Sequence, residues 1–288
     1  MENYIKNRYD FVFLFDVKDG NPNGDPDMDN QPRIDFETRE GLVSDVCIKR
    51  KVRNYIQLKV EAGELSMEKY NIFIRQGNVL NAIINEEGKK AAKDETKGRI
   101  AMCEKYYDIR TFGAVLSTGD NNSEKKSKGL GVVRGPVQFV FSRSEDPIDS
   151  RTHSVTRCCV TNEKDADKDS TFGNKSTVSY GLYRMHGYIS AFDGEKCHFT
   201  EDDLKLLWEA LMNAFEHDHS AARGEMNARA LIIFKHESKL GNARASKLFD
   251  LVKVDKKGGI EFPRKFEDYD VTIDRDNLPV GVTIEEMI

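Results

Sequence analysis

An apolar and aromatic run at residues 9–15 leads into a loop crowded with turn formers. The loop, residues 21–26, reads Asn-Pro-Asn-Gly-Asp-Pro, and a Pro-Arg pair follows at 32–33. Each proline fixes its own φ and biases the preceding residue to extended geometry, while Asn23 and Gly24 supply tight-turn conformations. The sequence therefore predicts a rigid, polar loop leaving a central sheet strand, a place where ligands often bind. A plain connection between a strand and a helix is the alternative interpretation.

The overall charge argues against a nucleic-acid partner, although local clusters leave one open. The chain of 288 residues has a formal net charge of −5, with 32% charged and 39% hydrophobic residues. Domains that bind nucleic acid usually have an isoelectric point above about 9. Phosphates respond to charge within a Debye length of about 10 Å, so a basic groove on an acidic body remains compatible with this composition.

Cysteine usage and hydropathy indicate an intracellular protein without a membrane anchor. No apolar run approaches the ~20 residues of a membrane helix, and the first residues lack the pattern of a signal peptide. The five cysteines are odd in number and form no Cys-x-x-Cys pair, which disfavours a zinc finger or a disulfide framework. We therefore expect a cytoplasmic protein, and we expect no cofactor.

The order of predicted elements indicates an α+β fold in a single domain spanning residues 1–288. Its six core elements are strand 9–17, helix 45–60, strand 132–143, strand 179–192, a helix capped by Thr200, and strand 226–235. The order strand–helix–strand–strand–helix–strand is that of a ferredoxin-like, or RRM-like, sheet.

Two insertions interrupt this core. Residues 61–130 are punctuated by glycines, are rich in charge, and hold plausible helical pieces. Residues 148–178 are strand-like at both ends and polar between, which predicts a protruding β-hairpin.

Four segments of the chain carry a resemblance to a known family. They are the loop at 21–26 with its Pro-Arg pair and residues 108–114, 180–183 and 218–224. In this order they resemble the backbone subunit of type I CRISPR surveillance complexes (Cascade), the Cas seven family of the RAMP superfamily, and most closely its subtype I-C branch. The match runs over most of the chain and thins after about Gly241.

The resemblance implies a fold and a function. The sheet would be a palm, the first insertion would be helical fingers, and the hairpin would be a thumb. The protein would bind CRISPR guide RNA (crRNA), assemble along the spacer with further copies of itself and other Cascade subunits, and present the guide to a target DNA strand. In the family the thumb folds over the guide and flips out bases at regular intervals. Such a subunit is no enzyme.

Candidate RNA-binding residues lie in four places. They are Asn23, Gly24 and Arg33 near the loop; Lys49, Arg50 and Arg53 on the first helix; Arg110 and Phe112 after the first insertion; and Arg157, Phe172 and Arg223 in or near later loops. Lysine and arginine neutralise phosphates without reading sequence, and aromatic rings stack on bases. The alternatives are a solvated helix face for the basic cluster, a buried ring for Phe112, and a structural ion pair for Arg223.

Two other functions compete with this interpretation. The acids Asp16 and Asp25 near the loop are compatible with a metal site, and related type III backbone subunits cut RNA with a loop aspartate. Turn chemistry explains the same acids, so we expect neither a metal nor catalysis. The third possibility is an RRM-like protein that binds single-stranded RNA as a monomer. Self-assembly on RNA and Mg²⁺-dependent cleavage distinguish these alternatives.

Overall fold

The computed structural model describes residues 3–92, 94–117, 129–160, 163 and 171–287. The strands are β1 (Tyr9–Gly20), β2 (Gly24–Asp25), β3 (Gln31–Pro32), β4 (Glu40–Val43), β5 (Gly113–Leu116), β6 (Gly131–Arg134), β7 (Val137–Phe139), β8 (Ser142–Pro147), β9 (Ser150–Arg157), β10 (Thr171–Ile189), β11 (Glu225–His236), β12 (Val252–Lys256), β13 (Tyr269–Ile273) and β14 (Val282–Met287). The helices are α1 (Asp45–Glu61), α2 (Met67–Tyr70), α3 (Leu80–Lys90), α4 (Glu95–Lys105), α5 (Tyr107–Phe112), α6 (Ala191–Cys197), α7 (Glu201–Met212) and α8 (Ala245–Phe249).

One large antiparallel sheet organises the described chain. Its strands follow the order β14-β11-β1-β10-β8-β4, and β7 and β9 also pair with β10. Strand β1 is central, with Phe11 opposite Gly187 on β10 and Ile233 on β11. The order of core elements along the chain is thus the predicted one: β1, α1, β7 and β8, β10, α7 and β11.

Alternation along β1 divides the interior into two layers. Phe11, Phe13 and Phe15 point to one face, where they pack with the apolar stripes of α1 and α7. Val12 and Leu14 point to the other face, against the segment that holds α8 and β12. Both faces are covered because successive side chains of a strand project in opposite directions.

Helices α1 and α7 form where the sequence predicts them. The apolar residues of α1 recur at helical spacing, and its buried face includes Ile48, Val52 and Ile56. Thr200 and Asp203 form a reciprocal capping box at the start of α7. None of the helices in the described ranges is long and apolar enough to cross a membrane.

The predicted strand 132–143 is wrong in its extent. Residues 131–134 pair with β5 in a separate hairpin, and β7 and β8 join the main sheet as two short strands. The break falls at Gly135-Pro136, where proline lacks the N–H that a ladder requires. The neighbouring cysteines Cys158 and Cys159 directly follow β9, and both are exposed.

Candidate nucleic-acid interface

The loop after β1 is held together by its own hydrogen bonds. The side-chain amide of Asn21 donates to the Asn30 carbonyl at 2.7 Å, and the Asn30 N–H donates to the Asp25 carbonyl at 2.8 Å. The N–H of Arg33 donates to the Asn23 carbonyl at 3.2 Å. These bonds close the loop on itself, so its exposed groups are presented in one arrangement.

Asn23 fastens this loop to helix α1. Its Oδ1 accepts from the backbone N–H of Ser44 at 2.9 Å and from the Ser44 hydroxyl at 2.8 Å. Ser44 is the N-cap residue of α1 but makes no side-chain cap bond within the helix. The Asn23 oxygen therefore orients the start of the helix. The side-chain nitrogen, which makes one long contact of 3.5 Å to the Gly24 carbonyl, keeps a second N–H for a ligand.

The loop also docks on the segment that precedes β11. The Asn21 N–H donates to the Ala222 carbonyl at 2.8 Å. A Cβ on Gly20 would lie 1.8 Å from the Arg223 carbonyl oxygen, and Gly224 has a φ of +63°. Gly20 and Gly224 both need to be glycine because the two backbone segments touch there. Gly224 also adopts a left-handed conformation, which glycine tolerates best.

A hydrophilic pocket of about 340 Å³ lies where this loop, the Ala222 segment and the base of the β9–β10 hairpin meet. Its lining residues are Asn21, Asp29, Asn30, Asn174, Lys175, Ser176 and Ala222. We call this place the junction pocket. Amide side chains offer both donors and acceptors, and Oδ1 of Asn21 is buried without a hydrogen-bond partner. The pocket can therefore accept a polar group that donates a hydrogen bond.

A cluster of cations lies on the α1 side of the loop. Arg33 pairs with Asp25 at 3.3 Å, Arg223 pairs with Asp218 at 2.9 Å, and buried Lys51 also contacts Asp218. Three cations thus face two carboxylates, which leaves the cluster positive. Arg33 and Arg223 remain about one-third exposed, so a phosphate could reach both.

The β9–β10 hairpin projects basic and aromatic side chains outward. Phe172 is 80% exposed, and Arg151 and Arg157 are also exposed. The Nε of Arg157 donates to the Cys159 carbonyl at 3.0 Å. An exposed ring beside cations suits a strand of bases and phosphates. The tip with Lys164 and Lys168, which the sequence also marks as basic, falls outside the described residues.

Arg110 lies in the interior, which corrects its prediction as an RNA contact. Its side chain is 1% exposed, and its Nη2 donates to the Asp203 carboxylate at 2.8 Å. The guanidinium lies over the rings of both Tyr70 and Tyr107, at 4.9 and 5.1 Å from their centroids. It also donates to the Lys69 carbonyl at 2.6 Å. In this arrangement Arg110 joins the inserted segment to α7 and cannot reach a bound strand.

Phe112 is buried too, and it covers part of the basic face of α1. Lys49 and Arg53 lie over its ring, at 5.6 and 5.4 Å from the centroid. Arg53 also pairs with buried Asp108 at 2.8 Å, and Lys49 pairs with Asp45 at 2.9 Å. The predicted basic face is thus mostly closed by the inserted segment, and Phe112 has no free stacking surface.

Arg50 is the member of that face that stays exposed. Its Nη1 lies 3.4 Å from the Ile74 carbonyl, a long hydrogen bond that a phosphate could replace. The sequence-predicted residues around the loop are therefore Asn23, Gly24, Arg33 and Arg223, whereas Arg157 and Phe172 lie on the β9–β10 hairpin. Arg110 and Phe112 belong to the core instead.

Sequence reasoning missed several residues of this region. Asn174 and Ser176 alternate along a strand without any motif, and Lys51 lies beside an apolar stripe where a solvated lysine is expected. The repeated Asn residues of the loop were the available signal. The residues that complete the junction pocket, from Asn174 to Ala222, are more than 140 residues away along the chain, so local patterns could not reveal them.

The acids considered for a metal site are engaged by protein donors. Asp16 is buried and accepts from Tyr180 at 3.0 Å, Asn227 at 3.2 Å and Arg229 at 2.8 Å. Asp25 accepts from the Asp27 N–H and pairs with Arg33. Within the described ranges, no three His, Cys, Asp or Glu side chains are grouped to hold a metal ion.

Chains in two solved CRISPR complexes are similar to this one. A chain of a CRISPR RNA-guided surveillance complex in a pre-nicking state has a TM-score of 0.48 and 12% identity, covering 79% of this chain and 78% of that chain. A chain of a type III-B Cmr-beta complex bound to cognate target RNA has a TM-score of 0.43 and 11% identity, covering 79% of this chain and 61% of that chain.

The sequence relatives are more decisive. The CRISPR-associated protein Cas7 of Haloferax volcanii is 23% identical over 266 residues, which cover 86% of this chain and 75% of the relative. A family model described as CRISPR-associated protein Cas7 matches residues 7–274, from before β1 to after β13. Because that match spans nearly the whole fold, the chain belongs to the CRISPR-associated protein Cas7 family.

Proposed function

We propose that this protein is the backbone subunit of a type I-C Cascade complex that binds crRNA and serves antiviral defence in the cytoplasm. Several copies would line the spacer, together with other Cascade subunits, and present it for pairing with target DNA. Membership of the Cas7 family supports the class of function. The meeting of three segments around the junction pocket supports RNA as the ligand.

The chemistry of the junction pocket favours a grip on backbone rather than a reading of bases. Beside the pocket, on the α1 side of the loop, Arg33 and Arg223 offer partly exposed guanidiniums, and Lys175 lines the pocket itself together with Asp29. Such cations neutralise phosphates irrespective of sequence. In guided recognition, base pairing reads the target while protein holds the shape and backbone of the guide.

We assign the inserted segment and the hairpin to the fingers and thumb of the family. The segment from α2 to β6 packs on α1 and α7 through Asp108 and Arg110. The β9–β10 hairpin extends from the sheet and exposes Phe172. Head-to-tail contacts between different surfaces would extend into a helical filament. Either projection could reach the neighbouring copy.

Catalysis forms no part of this proposal. Each carboxylate oxygen of Asp16 and Asp25 already has a protein donor or cation beside it. Cutting of the target would then belong to another protein. The endoribonuclease of the type III kind remains the alternative to be tested.

Alanine at both Arg33 and Lys175 should weaken binding of unrelated single-stranded RNAs to a similar extent. Each lost phosphate contact lowers the log–log salt slope by about 0.7 on a single strand, so the double variant should lose about 1.4. Fluorescence anisotropy at several salt concentrations measures both quantities. A thermal unfolding curve verifies that the double variant is folded.

A matched control uses two exposed lysines on the opposite side of the sheet. Lys247→Ala with Lys253→Ala removes the same number of charges from α8 and β12. We expect a nearly unchanged salt slope for this control. An equal loss of salt slope in both double variants would contradict the junction pocket and the neighbouring Arg33 as the RNA site. In a separate assay, Mg²⁺-dependent RNA products that disappear with Asp25→Asn would favour the endoribonuclease.

The number of protein copies bound to one guide should rise in single steps as the guide is lengthened. Analytical ultracentrifugation with guides of increasing length should give complexes that gain one copy at a time, because heterologous contacts do not close on themselves. A guide long enough for one copy is the control. A single protein molecule on the longest guide would support the monomeric RRM-like binder.

A further inference from the structure

Two cysteines from distant parts of the chain meet inside the protein. Cys103 lies in α4 of the inserted segment, and Cys197 ends α6, which follows the sheet strand β10. Both are 3% exposed, belong to the same buried apolar cluster and line the same cavity. The Cys197 thiol also contacts the Arg134 carbonyl at 3.1 Å. The pair therefore lies at the contact between the inserted segment and the rest of the fold.

The apolar surroundings of Cys197 belong to the inserted segment. The cluster around it contains Phe73, Ile84, Met102 and Leu130, all from residues 72–133. Among the described buried members of this cluster, Cys197 is the one that comes from outside that range. The Cys197 side chain therefore packs into the core of the inserted segment. Alanine or valine would fill this space equally well, so packing alone does not require a cysteine here.

A cavity of about 490 Å³ leads to both sulfurs. Arg99, Arg134 and Lys196 line it together with Asp193. The thiolate is the reactive form of cysteine, and the contact with Cys103 lowers the pKa of the Cys197 thiol, so Cys197 is the thiol that ionises first. A small neutral oxidant such as hydrogen peroxide can enter a space of this size. Burial alone would make each thiol inert, but the cavity provides access.

We propose that Cys103 and Cys197 form a dithiol site that peroxide oxidises to a disulfide joining the inserted segment to the sheet body. One thiolate attacks a peroxide oxygen, which gives a sulfenic acid and releases water after proton uptake. The second thiol then attacks that sulfur and releases the second water. Two thiols and one peroxide thus yield one disulfide and two waters. In the disulfide the two sulfurs lie about 2.05 Å apart.

The experiment uses the full chain with Cys47, Cys158 and Cys159 replaced by serine, so that the pair holds the remaining thiols. After peroxide treatment we expect the intact mass to fall by about 2 Da, both cysteines to resist alkylation, and a 103–197 cross-linked peptide to appear after digestion. Dithiothreitol should reverse all three changes. The oxidised protein should also unfold at a higher temperature, because a long chain loop is closed.

Two comparisons make the result decisive. Adding Cys103→Ser to the same background should abolish the cross-linked peptide and leave Cys197 as a sulfenic or higher acid. If the triple serine variant folds poorly, the 103–197 peptide is sought instead by peptide mapping of the chain with its native sequence. Gains of about 16 Da per oxygen on single cysteines, without the 103–197 peptide, would overturn the proposal, as would the same yield of that peptide in urea.

Discussion

Arg110→Ala is expected to destabilise the protein by about 3–5 kcal/mol, because it leaves the Asp203 carboxylate buried without its cation. Arg110 and Asp203 are both almost fully buried, and their oxygen-to-nitrogen distance is 2.8 Å. The variant also loses the contacts of the guanidinium with the rings of Tyr70 and Tyr107. Chemical denaturation followed by circular dichroism measures the change in unfolding free energy.

Lys97→Ala is the matched control for this loss. Lys97 is an exposed cation of the same inserted segment, with a carboxylate at 3.8 Å. Its removal should change the unfolding free energy by less than about 0.5 kcal/mol. Arg110→Lys should remain strongly destabilising, since an ammonium cannot replace the planar fork. If Arg110→Ala were as stable as the native protein but bound RNA weakly, Arg110 would be an RNA contact after all.

Gly20→Ala is expected to separate the loop after β1 from the segment before β11. The added Cβ would lie 1.8 Å from the Arg223 carbonyl oxygen and 2.9 Å from the Gly224 nitrogen, so one backbone must move. Overpacking of this kind costs about 1–3 kcal/mol. Because the junction pocket is built from both segments, RNA affinity should fall by about tenfold, equivalent to about 1.4 kcal/mol.

Gly88→Ala provides a glycine control in the same protein. Its Cβ would lie 3.6 Å from Leu130, an ordinary contact, and the residue is inside helix α3. Alanine is favoured over glycine within a helix, so stability should stay equal or rise slightly. Thermal unfolding and RNA anisotropy should be recorded for both variants. Native affinity and stability in Gly20→Ala would contradict the contact between the two backbones.

Local patterns in the sequence identified the central strand and the two main helices of the fold. Alternating bulky residues identify β1, the spacing of Ile48, Val52 and Ile56 identifies α1, and Thr200 with Asp203 marks the start of α7. These signals work because strand period, helix period and capping depend on residues within a few positions of one another. The order of the core elements follows from them.

The tertiary structure decided which polar side chains are buried and which remain available to a ligand. Arg110 finds its carboxylate 93 residues along the chain, and Lys51 finds Asp218 at a separation of 167 residues. The junction pocket likewise joins loop residues to Asn174, Lys175 and Ala222. A charge is buried where a partner compensates its lost hydration, and that partner is set by the packing of distant elements rather than by neighbouring sequence.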